Sequence, residues 1–225
     1  MRPSMPRALP KRSPHKKRYH HGDLRRALIA TALELVEESD VAALTLREVA
    51  RKAGVTHAAP YHHFQNKAAL LAILAEEGYR ALYTEQLQAA AKAGTDPVAR
   101  LQAIGLAYVR FAVHHPGHFR VMFRSDPADW AKYPSLLEAV QLPLVLLTST
   151  ANETRRSRKL AAQPTELVLS SWAMVHGLAT LWVDGPLRPI LGSSDARAIE
   201  DLAARVIVFW TVLLGQDEGP KKSSR

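Results

Sequence analysis

Residues 45 to 54, TLREVARKAG, define both ends of a helix of only about two turns, and no other stretch restricts the possible folds as much. Thr45 and Glu48 stand at the T-x-x-E spacing of a capping box, in which the hydroxyl and the carboxylate satisfy opposite ends of the first turn. Gly54 stands where a helix closes in the left-handed conformation. Val49, Ala50 and Ala53 face inward. Thr56 can cap a third helix to Phe64, so a turn of only about three residues separates helices two and three, the length that a helix-turn-helix requires. Upstream, Asp23 suits the N-cap of a first helix to about Ser39, with Leu24, Leu28, Ala32 and Leu35 on one face. Asn66 caps a fourth helix with Leu70, Leu71 and Leu74 on its apolar side.

The rest of the chain repeats the helical period and shows almost no alternation of period two, so the fold class is all-α with about nine helices. Asp96-Pro97 opens a helix that runs to the His114-His115-Pro116 break, with Leu101, Ile104, Tyr108 and Phe111 on its stripe. A short apolar segment, HFRVMF, follows. SDPADWAKYPSLLEAV reads as a Trp- and Tyr-bearing loop leading into a helix to about 157, bent near Pro143. Pro164 sits near the start of a helix ending at Asp184-Gly185, and Asp195 begins a last one to about Leu214.

Composition removes several chemistries. The chain has no cysteine, which excludes disulfides, thiolate zinc sites, iron-sulfur clusters and cysteine nucleophiles, and fits a cytoplasmic protein. The N-terminal stretch lacks an apolar run of signal length, and VIVFWTVLLG, residues 206 to 215, is far short of the roughly 20 residues of a membrane span. No membrane partner is expected. Of the net charge of +9, seven Lys and Arg fall in residues 1–18 with no acid, leaving +2 for everything else. That proline-rich stretch reads as a disordered basic arm that seeks a polyanion.

Three histidines follow the turn. On a helix of about 100° per residue His62 and His63 would lie about 140° and 240° round from His57, so the three diverge and no metal site is expected of them. No Asp or Glu stands between residues 49 and 75 to complete a coordination set. No catalytic motif is present: there is no G-x-S-x-G, no phosphate-cradling glycine loop and no close carboxylate pair in an apolar setting. Neither metal nor cofactor is expected. A DNA-facing surface explains more of the stretch. Pro60 and Phe64 turn toward the core while His57, Tyr61 and His62 stay outward, and Ala58 and Ala59 are small enough for close approach to a major groove. Lys67 adds a cation beside a helix N-terminus that itself attracts phosphate.

Residues 24 to 74, above all LTLREVARKAGVTHAAPYHHFQNKAALL, resemble the N-terminal DNA-binding domain of TetR-family transcriptional regulators. The T-x-R-E-V-A…A-G-V core, the Tyr-x-x-Phe pair and the N-K-x-x-L-L start of the fourth helix all occur at the family's spacing. The resemblance implies an all-α homodimer: a three-helix helix-turn-helix domain, then a larger helical domain for effector binding and dimerisation. The expected units are a basic arm at 1–18, a DNA-binding domain at 19–66, an effector-binding domain at 67–216 and a flexible tail at 217–225. Thr45 and Arg47 would lie at the groove edge. Residues 56 to 63 would form the recognition helix, with Thr56 and Ala59 in it, His57, Ala58 and His62 on base edges, and Tyr61, His63 and Lys67 on phosphates. Pro60 departs from the family, which commonly has an aliphatic residue there; with its N–H missing, the first turn should be irregular or re-capped at His57. In the second half, SSWAMVHGLATLWVDG is similar to the Trp…His-Gly signature of one subgroup of these domains, carried by Trp172, His176 and Gly177.

The last two helices are apolar nearly all round. They should therefore be buried on two sides, one within the subunit and one against a second copy, with Trp172, Val175, Ala179, Trp182, Val208, Phe209 and Val212 at the dimer interface. Tyr108, Phe111, Met122, Trp130, Tyr133 and Met174 supply the surface of an effector cavity, with His176 either touching the ligand or only packing. The expected function is a ligand-responsive regulator, a repressor that holds a palindromic double-stranded operator and is released by a small hydrophobic effector. A sequence-neutral DNA-coating protein would share the basic arm, and a helical carrier or enzyme would share the cavity.

Overall fold

A computed structural model describes residues 21–124 and 127–214, with side chains from residue 24 to 124 and from 130 onward. The expected basic arm and C-terminal tail lie outside these residues. Among them are α1 (His21–Glu38), α2 (Leu46–Lys52), α3 (Lys67–Lys92), α4 (Pro97–His114), α5 (Pro116–Arg124), α6 (Pro134–Arg158), α7 (Pro164–Val183), α8 (Leu187–Leu191) and α9 (Ala196–Leu214). Short 3₁₀ segments cover Ala59–His62 and Pro127–Lys132, and the described residues contain no strand.

The local signals act largely as the sequence indicates. Thr45 is extended and its Oγ1 accepts the Glu48 N–H at 3.1 Å, while Gly54 takes φ +69°, a conformation that costs glycine little. Asn66 caps α3 through Ala69 N–H at 2.8 Å, and Asp96 caps α4 through Ala99 N–H at 3.1 Å. Two expectations fail. Asp23 does not stand at the N-cap position of α1, because that helix already runs from His21. Nor is there a third α-helix capped by Thr56. In an α-helix the Thr56 carbonyl would accept from residue 60, but proline has no N–H to give. Ala59 N–H takes that carbonyl instead at 3.0 Å, and Tyr61 N–H bonds Ala58 O at 3.1 Å, so the segment winds as a 3₁₀ turn of three-residue steps.

One continuous core runs through both halves. Leu28, Ala32 and Val36 of α1, Val49 of α2 and Phe64 meet Leu70 and Leu74 of α3, all fully buried or nearly so. Farther along, α3 packs against α4, α5 and α6, and α4 against α7 and α9. The same 26-residue helix thus begins beneath the helix-turn-helix and ends in the larger bundle. The short α8 was not legible in the sequence. Both α6 and α7 are long and apolar enough to cross a membrane by length and composition, unlike the 206–215 segment; a core helix of a bundle passes the same test, and each packs into this one.

Candidate nucleic-acid interface and internal cavity

The turn between α2 and the 3₁₀ segment presents a continuous exposed surface. Thr45, Arg47, Thr56, His57, Ala58, Tyr61 and His62 are exposed, while Ala59, His63 and Lys67 are half-buried. Pro60 and Phe64 are buried beneath, with the Arg25 guanidinium 6.0 Å from the Phe64 ring centre. Lys52 anchors α2 to α1 through Glu38 at 2.6 Å and Glu34 at 3.3 Å, and the Glu38 carboxylate raises its pKa. Lys67 Nζ donates to Ala42 O at 2.8 Å, and burial lowers its pKa. Its ammonium is therefore held at the start of α3 rather than swinging free. Arg51 was missed in the sequence. It stands four residues after Arg47 on α2, a spacing that puts both guanidinium groups on one exposed side.

Beyond this surface lies a partly open cavity of about 280 Å³ lined mainly by residues of α3, α4, α5, α6, α7 and α9. Of the residues expected to line it, Tyr108, Met122, Trp130 and Met174 are on its wall. Phe111 and Tyr133 are not: Phe111 is buried with its ring 5.1 Å from that of His115, and Tyr133 packs half-buried against the core. His176 is also off the wall and buttresses it, sharing a 2.8 Å hydrogen bond with Tyr108 and lying 4.7 Å, ring to ring, from Phe123. Burial lowers the His176 pKa and raises that of Tyr108. Among the wall residues that the sequence reading did not assign to the cavity is Gln86. Its signal was present, because Tyr79, Leu82, Gln86 and Ala90 recur at helical spacing and all are buried, leaving a glutamine on an apolar stripe.

The expected dimer residues divide. Val208, Phe209 and Val212 are 48%, 65% and 54% exposed, and Trp172 is partly exposed at the cavity wall. Val175, Ala179 and Trp182 are instead buried within the chain, Val175 on the cavity wall and the other two in the core, so they have no surface left for a partner. The stripe assigned to a second copy is the stripe that packs on the subunit, and the exposed side of α7 carries Leu169, Ala173 and Leu181.

Helix α5 touches both regions. Met122 and Phe123 face the cavity. On the α1 side, Gly117 N–H donates to Glu37 Oε1 at 3.1 Å, and a Cβ on Gly117 would come within 3.1 Å of the Leu33 carbonyl, tighter than an ordinary contact, so glycine suits this approach. Arg120 donates to Val36 O, Glu37 O and Val183 O, at 3.3, 2.9 and 3.1 Å, and Arg124 pairs with Asp40 and Asp184. The C-termini of α1 and α7 are thereby fastened to one short helix. Among the described residues no three His, Asp or Glu side chains gather to hold a metal ion.

Comparison with known proteins agrees with this arrangement. Residues 28–74 match the model of the TetR family of bacterial regulatory proteins, and residues 101–206 match a tetracyclin repressor-like C-terminal domain. The class C tetracycline repressor of Escherichia coli is 50% identical over 52 residues, 23% of this chain and 24% of that protein, so the alignment spans about a quarter of that relative. A solved protein of unknown function from Rhodococcus sp. RHA1 is 30% identical with TM-score 0.70, covering 89% of this chain and 100% of its own. A TetR-family regulatory protein from Rhodococcus RHA1 shares the fold at TM-score 0.68 and 19% identity, with 85% and 96% of the two chains covered.

Proposed function

The chain belongs to the TetR family of bacterial transcriptional regulators, and from that premise we propose that it is a cytoplasmic repressor that holds a palindromic operator as a homodimer and releases it when a hydrophobic small molecule enters the cavity. The observation that carries the proposal is α5, which has cavity residues on one side and the end of α1 on the other. A ligand that favours one position of α5 changes the population of DNA-competent dimers by its differential affinity for the two states.

His57, Ala58 and His62 would read base edges, with Thr56 and Ala59 alongside them. Arg47, Tyr61, His63 and Lys67 would hold phosphates, joined by Arg51, and Thr45 would stand at the groove edge. The 3₁₀ turn supports this assignment because it stays short, so its small residues and exposed imidazoles come forward together. For the dimer, α7 offers Leu169, Ala173, Gly177 and Leu181 at four-residue steps and α9 offers Val208, Phe209 and Val212. A Cβ on Gly177 would meet nothing within 4 Å, which leaves room for a partner helix to approach closely. A two-fold axis there would set two recognition turns about 34–36 Å apart.

Nuclease footprinting on the DNA flanking the coding region tests the proposal. The expected result is one protected stretch containing an inverted repeat with half-site centres about one helical turn, or a multiple of it, apart. Protection spreading along any duplex would instead identify a DNA-coating protein.

A further inference from the structure

Among the described residues no Asp, Glu, Lys, Arg or His lines the cavity, so an ionised ligand would lose its hydration there without a counter-charge from them. Most hydroxyls on the wall are already engaged. Tyr79 donates to Met122 O, Ser171 to Leu167 O, and Thr211 Oγ1 donates to Val208 O while accepting from Gln102. Tyr108 and His176 share one bond. Gln86 differs. It is 5% exposed, and its Nε2 donates to the Ile104 carbonyl at 3.2 Å, which fixes which end of the amide is which because a carbonyl only accepts. Its Oε1 has no hydrogen-bond partner, and among the described residues it is the one fully buried side-chain polar atom on the cavity wall in that condition.

We propose that Gln86 Oε1 receives a hydrogen-bond donor from the effector, so that the cavity takes a neutral, mostly apolar molecule bearing a hydroxyl or N–H group. The proposal rests on the ligand-responsive reading above and narrows it to a chemical class. Selectivity comes from the unpaired acceptor. A ligand with a donor satisfies Oε1, an otherwise similar ligand without one leaves it buried and unpaired, and an anion brings a second acceptor against it. Gln86 also sits on α3, the helix that begins at Lys67 beneath the DNA-facing turn, so the bond forms on an element shared by both regions.

Isothermal titration of the full-length protein with 2-naphthol, 2-methoxynaphthalene and 2-naphthoate tests this. The expected result is that Gln86→Leu lowers the ratio of 2-naphthol to 2-methoxynaphthalene affinity about tenfold, the size of one buried hydrogen bond. On the unaltered protein, 2-naphthoate should bind at least roughly 30-fold more weakly than 2-naphthol. Gln86→Met serves if the leucine variant does not fold, and the 2-naphthoate comparison needs no variant. An unchanged ratio in a folded variant, 2-naphthoate binding as tightly as 2-naphthol, or no binding of either neutral probe would each overturn the proposal. Operator binding on the same samples separates the two levels. Probes that release DNA without any dependence on Gln86 leave the regulator intact and remove this contact, whereas the expected selectivity in a protein with no operator keeps the contact and removes the regulator.

Discussion

Replacing Arg120 with methionine should detach the DNA-binding half from the cavity without emptying either. The guanidinium donates to Val36 O, Glu37 O and Val183 O, at 3.3, 2.9 and 3.1 Å, and these carbonyls belong to the final turns of α1 and α7. Helix-end carbonyls lack intrahelical partners and carry partial negative charge, so a cation is well placed there. A hydrogen bond to a charged group contributes about 1.5–3 kcal/mol net, but three on one guanidinium do not add fully, and the 3.3 Å contact is weak. Arg120 Nε is also buried without a partner, which offsets part of the gain. Methionine keeps the apolar stem in place, leaving a net loss of about 3 kcal/mol. At about 2–4 °C per kcal/mol for a chain of this size, Tm should fall by about 6–12 °C. Circular dichroism melts at one fixed protein concentration measure it, since the Tm of a dimer depends on concentration. The variant should still bind 2-naphthol, because Met122 and Phe123 remain on the wall, but the ligand should release operator several-fold less effectively. A Tm within about 2 °C of the unaltered protein, together with undiminished release, would refute the role given to α5.

Three further outcomes are expected. Pro60→Leu supplies the residue-60 N–H that an α-helical turn would offer the Thr56 carbonyl in place of Ala59 N–H; it should keep the fold but change the ranking of a set of operator variants, and an identical ranking in gel-shift titrations would exclude any part for the 3₁₀ turn in base selection. Phe209→Asp places a charge on a side chain that is 65% exposed in the single chain, so it should leave the protomer folded yet yield a monomer by light scattering, with operator affinity at least roughly 100-fold weaker; a persistent dimer would put the interface elsewhere. Burial and the neighbouring His115 hold the pKa of His118 down to about 4, whereas the unfolded chain takes up that proton near 6.5. The stability owed to its neutral ring is therefore complete above about pH 6.5 and is lost as pH falls toward 4, amounting to about 2 kcal/mol between pH 7 and 5. Urea unfolding at those two pH values should show a smaller loss for His118→Gln, and equal losses would mean that His118 titrates normally.

Features written in a few neighbouring residues were legible in advance. Thr45, Gly54, Asn66 and Asp96 each act through bonds to residues at most a few positions away, so their roles follow from order along the chain. Pro60 was half legible: its missing N–H promised an irregular first turn, but the conversion of the whole segment to 3₁₀ depends on Ala59 N–H taking the freed carbonyl. Long-range choices were harder. Helix α7 is apolar on more than one side, and periodicity does not say which side meets the subunit, so Val175, Ala179 and Trp182 were given to a partner although they pack inside. The cavity shows the same difficulty. Aromatic and methionine residues mark apolar surface of any kind, so the pattern includes Phe111 and Tyr133, which lie off the wall, whereas a lone glutamine such as Gln86 carries no such mark. The α5 clamp joins residues 60 to 84 positions apart, and no local pattern in the sequence announces it.

Whether the chain selects one DNA sequence is decided by fluorescence anisotropy with a labelled duplex from the DNA flanking its coding region, against a scrambled duplex of equal length at two salt concentrations. The flanking duplex should be held some 10³-fold or more tighter, with the preference surviving the higher salt. Equal and steeply salt-dependent binding to both duplexes, or binding to neither, would contradict such selection.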